Sequence, residues 1–203
     1  MRGSGAVASI EPRSYTRPME QGTRTDRAGT PPRFVDPRRI GALAGLVGAA
    51  TFVFSYAGGL DDAAAVVVKV LVVVIVVATL GMLFVRPRGL GRFVPPSRVA
   101  IGVYLLCVVG ELALIRVGTD ALVDAGRDEL RPALIVLVVG LHFLPFAWAF
   151  HERMFTWLGA MLVVLGTVGL LTAAAELVAV IAGLAMGGML LAYALGLFAR
   201  RAG

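Results

Sequence analysis

From Ile40 to Ala199 the chain repeats one pattern six times, a long apolar stretch followed by a short polar break. A stretch without a polar face has no place on the surface of a soluble domain. As an α-helix rising about 1.5 Å per residue, about 20 such residues cross about 30 Å of hydrocarbon. The spans read as 40–58, 63–85, 99–118, 132–150, 154–174 and 178–199. The second holds nine valines between Val66 and Val77, a composition that in water would favour a buried strand. In lipid a lone strand leaves its amides unpaired, so the helix wins. Alternating segments of about ten residues, the mark of a membrane β-barrel, do not occur. The fold class is therefore all-α, an integral membrane bundle of six transmembrane helices.

Composition supports this. Hydrophobic residues make up 58% and charged residues 16%, far from the balance of a water-soluble domain. The net charge of +6 would suit nucleic acid only on a folded polar surface. Here the arginines flank apolar spans, so the expected partners are the lipid bilayer and its anionic headgroups, with no nucleic acid. One side of the spans carries fifteen arginines, from residues 1–39, the 86–98 loop, Arg153, Arg200 and Arg201. The other side carries three: Arg116, Arg127 and Arg131. Basic loops stay inside, so both termini are expected in the cytoplasm and the protein in the cell membrane. Residues 1–39 are rich in arginine and proline and read as a disordered cytoplasmic tail, not a signal peptide; 200–203 form a cytoplasmic end. Met19 is a second candidate start. The single cysteine, Cys107, excludes an intrachain disulfide and a cysteine-built metal site.

Only Lys69, Glu111, Arg116 and His142 ionise within the spans. Such residues are costly in hydrocarbon and are functional candidates. Lys69 lies about 9 Å and Glu111 about 10 Å below the outer edge on sequential helices, so the two are expected to pair. The pair reads either as a relay that opens when an ion passes or as a static bridge that fixes packing; the bridge is favoured. Lys69 can instead snorkel outward. His142 sits near the midplane, about 15 Å deep, three residues before Pro145, where a helix kink is expected. Its readings are a site for a proton, a metal or a polar substrate group and a neutral histidine bonded across helices. His151 is about 13.5 Å further along the axis and on the opposite face, so no histidine pair binds metal. Arg116 is expected at the outer headgroups, pointing away from Glu111.

The string Gly140-Leu141-His142-Phe143-Leu144-Pro145 resembles small uncharacterised bacterial multi-pass membrane proteins. The resemblance covers about one helix and implies a membrane location alone. Gly41 with Gly45, and Gly183 with Gly187, are spaced by four and read as helix-packing sites within the chain; oligomerisation has no support. In the longest outer loop, 119–131, a surface helix would place Asp120, Asp124 and Asp128 on one solvated face. Trp148, Phe150, Phe155 and Trp157 read as an aromatic belt at the inner boundary. No phosphate loop, HExxH, GxSxG or intramembrane carboxylate pair is present, so the chain reads as a non-enzyme with no cofactor or metal. The favoured role is a non-catalytic structural or assembly subunit. The alternative is a small transporter or proton/ion-coupled permease with a polar centre at Lys69, Glu111 and His142.

Overall fold

The computed structural model describes residues 34, 36–86, 97–150 and 152–198. The chain divides into residues 1–30, wholly outside that set, and a unit of 31–203. The expected tail thus lies outside the described residues except for Phe34 and 36–39, as do His151 and the end from 199 onward. Six long helices follow in order: α1 (Pro37–Tyr56), α2 (Asp62–Leu80), α3 (Arg98–Asp124), α4 (Arg131–Phe150), α5 (Arg153–Thr172) and α6 (Ala175–Ala194). There is no strand among the described residues. Each helix is long and apolar enough to cross a membrane.

Short polar residues start the first three helices. Asp36 accepts a hydrogen bond from the Arg38 amide at 3.0 Å, Asp61 from the Ala64 amide at 2.9 Å, and Ser97 from the Ala100 amide at 3.1 Å. Asp36 and the following Pro37 start α1 three residues before the expected boundary at Ile40, so 36–39 belong to the fold rather than the tail. Residues 119–124 form no separate surface helix. They extend α3 past the expected end at 118, because nothing before Gly126, at φ 65°, stops it. α5 stops at Ala173, also left-handed at φ 55°; α6 stops at Ala194, short of 199, with Gly196 at φ 78° beyond it. α2 continues through one π turn, Gly81–Val85.

α6 is the hub, packed on α1, α2, α4 and α5. Over half of its apolar stretch is buried, 56%, against 6% for α3. α3 is an edge helix seated on α4, whereas α2 packs on α6 and α1. Successive helices α2 and α3 therefore form no packed interface.

Glycines set the closest approaches. A Cβ on Gly140 would lie 2.6 Å from the Val163 amide nitrogen, one on Gly166 2.5 Å from the Leu137 nitrogen, and one on Gly169 2.7 Å from the Ala133 Cβ. α4 and α5 thus meet backbone to backbone, antiparallel. Gly183 does the same for α6 against α1, with its Cβ position 2.7 Å from the Ala49 carbonyl oxygen, and Gly187 meets Ile75 of α2. Gly45 faces Leu190. Gly41 departs from expectation: it is exposed, with no atom within 4 Å of its Cβ position, because it points out of the α1–α6 seam.

Candidate functional site

Tyr104, Glu111 and Gly118 follow one another at intervals of seven along α3, two helical turns, and so share one side. That side rests on α4. Tyr104 stacks on Phe146 with ring centroids 5.4 Å apart, Glu111 meets His142, and a Cβ on Gly118 would lie 2.7 Å from the Leu134 side chain. The three contacts run in opposite directions along the two helices, an antiparallel register. Glu111 occupies the centre of it.

His142 Nδ1 lies 3.1 Å from Glu111 Oε2. The nitrogen makes no aligned hydrogen bond, so this is a close electrostatic contact rather than a linear bond. The His142 side chain is 9% exposed and that of Glu111 21%. Glu111 is the middle residue of α3, thirteen from either end, about 20 Å from each. It is therefore farther from the end of its helix than a helix ending at 118 would place it. The imidazole centroid is 4.3 Å from the Phe146 ring and 5.5 Å from Phe143, which stacks on Phe155 at 5.8 Å. These rings exclude water and strengthen the attraction of a carboxylate for an imidazolium.

The expected Lys69–Glu111 pair does not form. α2 turns its buried side to α6 and α1 instead of α3. Lys69 is half-buried and has no hydrogen bond or ion pair among the described residues. Its stem can lie along the apolar helix while the ammonium reaches toward headgroups. Lys69→Leu should accordingly leave the unfolding free energy within about 0.5 kcal/mol of the parent, the range for side chains without specific partners. Thermal unfolding in detergent micelles measures this, and a loss several times larger would reveal a missed partner.

Arg116 pairs with Asp120 at 3.0 Å along the exposed side of α3, and Arg127 lies 3.8 Å from Glu129. Asp120 and Asp124 sit on the last turns of α3, and Asp128 lies beyond the Gly126 turn, so the three do not form one helical face. No group of three metal-ligating side chains occurs among the described residues. α4 continues through Pro145, which lies inside it. Leu144 is held over Gly159 of α5 and Phe146 against Tyr104 of α3, which clamps the helix on both sides of the proline. Trp148 and Trp157 are exposed as a boundary belt requires, but Phe155 belongs to the internal ring cluster. Cys107 is half-buried, one turn from Glu111.

Two features escaped the sequence reading. Gly140, Gly159, Gly166 and Gly169 carry no four-residue spacing to mark them, since 159 and 166 are seven apart and 166 and 169 three. The second is a buried ionic cluster at Asp36, Arg38 and Arg39, assigned to the tail. Its signal was present: an aspartate followed by proline, directly before an apolar run, marks a helix start.

Residues 125–200 match a family of unknown function (DUF7010). The match spans α4 to α6, including His142 and the α4–α5 glycines, and leaves out Glu111. No curated protein and no solved structure matches the chain.

Proposed function

We propose that the chain is a non-catalytic, multi-pass subunit of the cell membrane, with both termini in the cytoplasm, in which Glu111 and His142 lock the edge helix α3 onto α4. The arginine asymmetry supports the orientation and a general attraction to anionic headgroups on the inner side. The observation that carries the role is the 3.1 Å contact joining the midpoint of α3 to α4 while Lys69 stands apart. Three polar groups on one path would favour conduction; two groups clasped across a helix seam favour packing specificity.

A second reading, a proton- or ion-coupled permease, draws on the same pair, because an imidazole nitrogen without an aligned hydrogen bond beside a carboxylate can trade a proton. Proteoliposomes loaded with a pH-sensitive dye separate the two. The packing role predicts equal proton leak for the parent and Glu111→Gln under an imposed pH gradient. A flux that Glu111→Gln abolishes overturns it in favour of the permease.

A further inference from the structure

Arg39 lies in the first turn of α1 and is 8% exposed. Its Nε and Nη1 are buried without a hydrogen-bond partner. The sole ion-pair contact of Arg39 among the described residues is Asp36 Oδ2, 3.6 Å from Nε, beyond hydrogen-bond length. That carboxylate is already committed. It accepts from the Arg38 amide at 3.0 Å, from Arg38 Nε at 3.2 Å and from Nη2 at 3.1 Å. Asp36, itself 1% exposed, is thus shared between two guanidinium groups. A helix N-terminus repels cations, so the first turn of α1 is an adverse place for a guanidinium short of acceptors. Glu152 and the Tyr193 hydroxyl are within electrostatic range of one another, and so are Tyr193 and Arg39, but Glu152 makes no ion pair with Arg39. A buried guanidinium left short of acceptors costs free energy that an oxyanion would return.

We infer that Arg39, beside Arg38 and Tyr193 at the foot of α1 and α6, forms a binding site for a phosphate oxyanion, supplied by an anionic lipid headgroup. A guanidinium fork takes two phosphate oxygens at once, and the helix N-terminus adds attraction for the anion. The inference turns the general headgroup attraction proposed above into one site, and in that respect rests on it. Detergent micelles have no inside or outside, so the test below does not depend on the orientation, which can fail separately.

The full chain in neutral detergent is titrated with phosphatidylglycerol, phosphatidylcholine or inorganic phosphate, and adducts are counted by native mass spectrometry. Phosphatidylglycerol is expected to saturate a site that phosphatidylcholine fills poorly. Arg39→Gln should weaken that binding about tenfold, the loss expected for charge-assisted hydrogen bonds. Arg39→Lys, which keeps charge and most of the volume and so guards against a folding defect, should weaken it by a smaller factor. Arg153→Gln removes an exposed arginine at the start of α5 and should leave it unchanged. Inorganic phosphate should not displace the lipid; displacement at Arg39 would keep the oxyanion site but overturn the lipid as its source. Binding unchanged in both Arg39 variants, or lost equally in Arg153→Gln, overturns the site itself.

Discussion

Gly166→Ala and Gly140→Ala should each destabilise the protein by about 2 kcal/mol, while the same change at Gly110 or Gly102 should stabilise it by about 0.5–1 kcal/mol. All four glycines lie inside helices, so alanine brings each a similar gain in helix propensity, about 1 kcal/mol. What differs is the space. A Cβ at Gly166 would lie 2.5 Å from the Leu137 nitrogen and 2.7 Å from its Cα, and one at Gly140 2.6 Å from the Val163 nitrogen. Those are backbone atoms, which cannot rotate aside, so α4 and α5 must separate along their whole seam. Overpacking of this kind costs about 3 kcal/mol, the upper end of its usual range, and outweighs the propensity gain. At Gly102 and Gly110 nothing lies within 4 Å, and the gain stands alone. Thermal unfolding of the four variants in one detergent reads the sign directly. A Gly166→Ala protein that unfolds at or above the parent's temperature would mean that α4 and α5 do not approach as described.

The second large effect is at the seam between α3 and α4. Glu111→Leu and His142→Leu should each cost about 3 kcal/mol, whereas the double variant should fall within about 1 kcal/mol of the parent. Removing one partner leaves the other buried among phenylalanine rings with no counter-group, which is what makes a broken pair expensive. The estimate takes the lower end for buried pairs because the Glu111 side chain keeps 21% of its surface. Replacing both groups gives an apolar contact of similar volume in an apolar seam. α3 feels the loss acutely, since so little of it is buried against the rest of the bundle. Cys107, half-buried and one turn away, reports the loosening: its reaction with a maleimide should speed up in each single variant and return toward the parent rate in the double. Additive losses in the double variant would show that Glu111 and His142 do not act on each other.

Much of the architecture was legible without coordinates. Hydrocarbon forbids unpaired backbone groups, so an apolar run must be a helix, and the thickness of the bilayer sets its length. Six helices follow from Ile40 to Ala199 for that reason alone, and the arginine count orients them as a proposal. The expected starts at 63 and 99 fall one residue inside α2 and α3, whose open amides Asp61 and Ser97 cap. The costly groups were legible too, since an ionisable side chain stands out against valine and leucine whatever the fold.

Neighbours were not legible. In a soluble protein the polar side of each helix marks what faces away from the core, but in a membrane the lipid-facing and bundle-facing sides are both apolar, so Val72, which is buried, and Val73, which is exposed, look alike. Lys69 was therefore assigned to Glu111 on depth alone, while α2 packs on α6 and α1 and hands Glu111 to His142 on a helix further along the chain. The glycine seam of α4 and α5 was hidden for a related reason: which glycine matters depends on whose backbone stands opposite, as exposed Gly41 and buried Gly166 show. The amino-acid order alone settles the number of long apolar helices, because each run is long enough by itself, whereas the ends of α1, α3 and α6 depend on local caps and turns. Which helices touch, and hence which charges meet, only the tertiary structure decides, because that choice rests on the shape of paired surfaces that hydropathy does not encode.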